Sequence, residues 1–100
     1  MRTRKKASRP TERFTAIVLD GHKGLAFEAP FDPAALWGVE EVRLRPGRRG
    51  YLVRCRMKGR RFESAVVPRS RRFWVLVSAE MRKAGGLRAG TEIRVSIEPA

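Results

Sequence analysis

The run YLVRCRMK, residues 51–58, alternates apolar and cationic side chains without a break, and few folds accept that pattern. In a strand, successive side chains point to opposite faces. Tyr51, Val53, Cys55 and Met57 therefore share one face and Arg54, Arg56 and Lys58 the other. A helix would scatter these residues around its circumference. Gly59 permits a tight turn, RFESAVV (61–67) returns, and Pro68 is expected to stop it. Such a hairpin predicts a sheet with one dry and one wet face.

The neighbouring segments read the same way. RFTAIVLD (13–20) is rich in β-branched and aromatic residues and runs into the turn DGHKG; LAFEAP (25–30) and EVRLR (41–45) alternate, and PGRRG (46–50) reads as a turn. RRFWVLV (71–77) is apolar on both faces from Phe73 onward, which suits a central strand. Two short helices interrupt the strands. DPAALWG (32–38) offers Asp32 as N-cap, Pro33 as first helical residue and Gly38 as terminator. Ser78 can cap a helix over 79–84 with Met81 and Ala84 as its apolar edge, ended by Gly85 or Gly86, after which Leu87 folds back as a plug. Gly90 turns the chain into TEIRVSIE, with Ile93, Val95 and Ile97 inward and Arg94, Ser96 and Glu98 outward.

The stretches 27–45 and 75–97 each read strand, cap, short helix, turn, strand. That echo suggests two related halves closing one small barrel, and closure protects edge strands. The fold expected is mainly β: a small closed or split β-barrel with two short helices, one domain over residues 13–100. Residues 1–12 read as a basic flexible tail.

In order along the chain, FTAIVLDG, a strand running into AP before a short helix, the hairpin RCRMKGRRFESAVVP and the closing MRKAGGLRAGTEIRVSIEP resemble the bacterial DUF1905 family over roughly residues 13–99. The resemblance implies a compact double-split β-barrel, similar in architecture to AbrB-like regulators, in which two short chains build what one builds here. It carries no activity and no catalytic residues. The family has Gly-Asp at the last turn where this chain has Gly90-Thr91.

Little in the chain suggests catalysis or a cofactor. His22 is the single histidine and sits in a polar turn; Cys55, the single cysteine, falls on the dry face of its strand and is expected to act as a small buried hydrophobe. No serine carries a nucleophile-elbow pattern and no phosphate-loop glycine motif is present. A lone cysteine, no apolar segment behind the basic N-terminus and no long apolar run lead to the expectation of a non-enzymatic cytoplasmic protein, not a membrane one.

Charge is the strongest functional lead. Lys and Arg number 23 against 10 acids, a net charge of +13, and arginine supplies 18 of the bases. From Arg43 to Arg72 there are twelve Lys and Arg and one acid, Glu63. On the wet face of 51–58, successive heads stand about 6.6 Å apart. Arg54, Arg56, Lys58, Arg60 and Arg61 are expected to touch the phosphates of nucleic acid or another polyanion, with Arg69, Arg71 and Arg72 extending the stripe. Trp74 is the aromatic of its strand that can face out; Phe73, Tyr51 and Trp37 are assigned to the core. The alternative is a protein-interaction or structural module, a homodimer for instance, whose charge serves solubility and whose mark is a contiguous apolar surface patch.

Overall fold

The computed structural model describes residues 11–21 and 24–100. The expected tail falls outside the described residues apart from Thr11 and Glu12, as does His22. Seven strands and two helices follow in the order β1 (Glu12–Ile17), β2 (Ala26–Ala29), α1 (Pro33–Trp37), β3 (Val42–Arg45), β4 (Arg48–Met57), β5 (Arg60–Arg69), β6 (Arg72–Leu76), α2 (Ala79–Gly85) and β7 (Glu92–Pro99). Six of them form one antiparallel sheet ordered β1-β7-β4-β5-β6-β2, while β3 pairs with β4 alone.

The sheet curls into a nearly closed barrel, and the closing step is a single residue long. Val18 still bonds to the β7 side, donating to the Thr91 carbonyl at 2.8 Å and accepting from Gly90 N–H at 2.7 Å. Leu19, the next residue, exchanges both backbone bonds with Ala26 at 2.7 and 2.9 Å. The first strand of the sheet thus meets the last.

Alternation sets the inside. Val53, Cys55 and Met57 of β4, Phe62 and Val66 of β5 and Ile93, Val95 and Ile97 of β7 are buried in one cluster. Phe14, Phe27, Phe31 and Trp37 form a chain of tilted and edge-on rings, 5.0–6.1 Å between centroids. Both helices begin as the sequence implies. Asp32 Oδ1 accepts from Ala34 N–H at 2.9 Å, and Ser78 Oγ accepts from Met81 N–H at 3.1 Å. Gly38 and Gly86 end them in the left-handed region. Met81 and Leu87 are buried as expected; Ala84 is exposed, because a helix this short shows the sheet only one turn.

The internal echo has a geometric counterpart. Glu28 lies four residues before its N-cap and Trp74 four before its own, and the two are direct cross-strand partners. A local pseudo-two-fold therefore passes through the β2–β6 ladder. It does not extend to the strands after the helices: β7 is a full barrel member, whereas β3 is a flap.

That flap explains three departures from the sequence reading. First, β4 begins at Arg48, because only Pro46 and Gly47 form the turn. Second, β3 carries a bulge at Leu44: Arg43 faces Arg49 but Arg45 faces Arg48. Third, the flap lies on the outer sheet face, where Leu44 and Leu76 cover a small second core of Ala26, Val67 and Trp74. Trp74 does point outward from the barrel, but into this second core, not into water. Two strand limits also shift. β1 starts at Glu12, and β5 continues through Pro68 to Arg69. Pro68 lies beyond the last β4–β5 pair, Tyr51 with Val66, where the lost N–H is tolerated.

The β5–β6 turn is built from unfavourable residues. Ser70 and Arg71 have φ of +53° and +66°, the signs of a type I′ hairpin that glycine and asparagine prefer. The double substitution Ser70→Asn, Arg71→Gly should stabilise the domain by about 1 kcal/mol and raise Tm by roughly 4–8 °C in thermal unfolding. An unchanged or lower Tm would show that this turn is not strained.

Candidate nucleic-acid interface

The expected basic face is real in part. Side chains of β4 and β5 alternate such that Arg54, Arg56 and Arg61 stand on the outer face. Lys58 and Arg60 do not join them. Lys58 lies in the β4–β5 turn at φ +50°, and its ammonium donates to the Gly85 carbonyl at 3.5 Å. There it meets the negative end of α2. Arg60 has the parity of Phe62 and spreads over that ring, 5.6 Å from its centroid. Both ties hold the hairpin tip. The shift comes from the turn, which interrupts the alternation of β4.

Arg54 is on the right face but is already partnered. Its Nη1 lies 3.4 Å from Glu98 Oε2, Thr11 Oγ1 donates to the other Glu98 oxygen at 3.3 Å, and Glu63 is its cross-strand neighbour on β5. At 33% side-chain exposure the pair is half-buried and orders the row next to it.

That adjoining row is the first cluster. Arg13 of β1, Ser96 of β7, Arg56 of β4 and Arg61 of β5 are successive cross-strand partners. They span three strand spacings, about 14 Å. They border a depression of about 170 Å³ that also includes Thr11 and Glu98. Arg13 escaped the sequence reading because nothing in the chain says that β1 pairs with β7.

Arg69, Arg71 and Arg72 lie at the far end of β5, about 26 Å from Arg61 along the strand, so one continuous stripe does not form. Arg72 Nη1 stands 3.6 Å from Glu28 Oε1. The flap brings further arginines to this end. Arg48, Arg49 and Arg69 line a second depression of about 210 Å³ with Gly47, Val67 and Pro68. Arg49 is tied to Glu41, Nε to Oε1 at 3.2 Å. Reading PGRRG as a turn hid Arg48 and Arg49 as strand residues.

The register shows what composition cannot. Arg43 faces Arg49, Arg45 faces Arg48, Arg56 faces Arg61 and Arg69 faces Arg72. Like charges directly opposite on a sheet destabilise it, by a few tenths of a kcal/mol each in an exposed setting. Among the described residues, Arg45–Arg48 and Arg56–Arg61 have no carboxylate within ion-pair distance of either member. An anion bridging either pair would relieve that repulsion.

Catalytic groups do not gather here. Cys55 lies beneath the first cluster, wholly buried, and burial pushes its thiol up to about 12. Among the described residues no group of three or more His, Cys, Asp or Glu is placed to hold a metal ion. None of their helices is long and apolar enough to cross a membrane. A family model, Domain of unknown function (DUF1905), matches residues 14–97. No curated protein matches the chain.

Proposed function

Since the chain belongs to the DUF1905 family, whose description names no activity, we propose its function from the surface itself: a non-enzymatic domain that binds nucleic acid through the phosphate backbone. The observation that carries this reading is the set of directly opposed arginines, above all Arg45–Arg48 and Arg56–Arg61. Folding gains nothing from them. A polyanion converts the repulsion into attraction and releases its own counterions. The two clusters lie about 26 Å apart on β5, a span that several successive phosphates of a nucleic-acid strand cover. Arg13, Arg45, Arg48, Arg56 and Arg61 are the phosphate contacts in this reading, while Arg54, Lys58 and Arg60 support them. A buried free cysteine suits the reducing cytoplasm.

Salt titrations of binding to short DNA provide the test. Replacing Arg45, Arg48, Arg56 and Arg61 together by glutamine should weaken binding and lower the log–log salt slope by roughly 0.9 per lost duplex phosphate contact. The same variant should be at least as stable as the parent, which a merely structural role for these arginines would not allow. Absence of binding at low salt, or an unchanged slope, would sink the proposal.

A second reading has one observation in its favour. Ile17 and Leu19, 44% and 42% exposed, lie together at the barrel seam beside Pro30. A protein-interaction module or homodimer would use that patch, with the charge keeping the molecule soluble. Failure of every oligonucleotide to bind, with a dimer mass in the same solution, would favour it.

A further inference from the structure

Between the two arginine clusters the outer face is not flat. The flap, β4, β5 and the end of β6 enclose an open groove of about 500 Å³. Its floor is Leu25, Leu52, Ala65 and Leu76, and Leu52 is 56% exposed, the most open of the large apolar side chains among the described residues. Arg45 and Arg48 stand at the flap side; Glu63 and Ser78 complete the polar rim. On β5 the groove residues Glu63 and Ala65 lie between Arg61 and Arg69. A polyanion reaching from one cluster to the other therefore crosses this groove.

Resting on the phosphate-binding reading, we infer that the groove receives unstacked bases, so that the ligand is single-stranded nucleic acid and not duplex. The chemistry of the lining selects for this. Glu63 repels a phosphate but can accept from a base N–H, the N3–H of thymine or uracil included. The leucine floor gives nothing to a sugar–phosphate chain, yet removes the apolar face of a base from water. The guanidinium planes of Arg45 and Arg48 can hold the flanking phosphates or stack on the base. A duplex keeps its bases stacked inside and would lie across the groove without entering it.

The experiment compares three 12-mers at matched salt: oligothymidylate, an abasic oligomer with the same phosphates, and a duplex. Oligouridylate in parallel separates RNA from DNA as the source of the strand, and tight binding of either supports the inference. Oligothymidylate should bind roughly tenfold tighter than the abasic oligomer, the scale of about 50 Å² of apolar surface removed from water. Leu52→Gln, an exposed and neutral change, should abolish that difference and leave abasic binding unaltered. Equal binding of the base-bearing and abasic oligomers, tighter binding of the duplex, or an unaffected Leu52→Gln variant would overturn the inference while leaving the phosphate reading standing. No binding of any of the oligomers at low salt would overturn both.

Discussion

Gly50→Ala is expected to destabilise the domain by about 3 kcal/mol, at the upper end of overpacking costs. Gly50 does not need a left-handed backbone; it needs an empty side. A Cβ built there runs into the Val66 carbonyl oxygen and comes within 3.0 Å of Leu44 Cδ1 and 3.2 Å of Val67 Cγ1. The leucine and valine methyls can shift. The carbonyl belongs to the middle of β5, flanked by β4 and β6, and cannot move without disturbing both ladders. The close approach is what lets β4 serve both the barrel and the flap. Chemical denaturation of Gly50→Ala beside Gly47→Ala checks the argument. The Gly47 position has positive φ but open space, so it should lose only about 1 kcal/mol. Equal losses would mean that the flap does not press on β5 at Gly50.

The second large effect is on the alkaline side. Burial raises the Cys55 thiol from 9.0 to about 12. Below about pH 9 the thiol is protonated in both folded and unfolded chains and has no pH-dependent effect. Above that, the unfolded chain ionises while the folded one does not, and stability should fall by up to about 1.4 kcal/mol per pH unit until about 12. Tyr51 adds to the same trend, because burial first, and Glu41 and Asp32 next, raise its hydroxyl above 10.0. Cys55→Val keeps an apolar strand residue and removes the titration. Urea midpoints of both proteins across pH 8–11 should diverge as pH rises, the variant losing less. Parallel curves would contradict a sealed thiol.

Much of the barrel is legible in the residues themselves. The alternation of 51–57 and 92–98, the caps at Asp32 and Ser78 and the apolar stretch of β6 are local signals, and each produces the element that it implies. The surface was harder to read. Arg54, Arg56, Lys58, Arg60 and Arg61 look equivalent in a linear run, but a two-residue turn, a carboxylate on β7 and an aromatic ring divide them. Conversely Arg13 joins one row with Arg56 and Arg61 only because β7 inserts between β1 and β4. Cross-strand register is a long-range property, and no spacing within a single strand encodes it. The strand β3 is legible at 41–45, but its place on the outer sheet face is not. Gly50 resembles the turn glycines around it, and only the proximity of β5 shows that its missing side chain is the point.

The insertion of β7 between β1 and β4 also bears on how the chain acquires its shape. As the polypeptide leaves the ribosome, the β4–β5–β6 meander can assemble from neighbours already made, whereas β1 must wait unpaired, its backbone bonded to water, until its partner arrives tens of residues later. Contacts of such long sequence separation slow the final step of folding. In that interval Phe14 and Ala16, which pack on the core of the folded domain, stay open to water, the kind of apolar surface that chaperones engage.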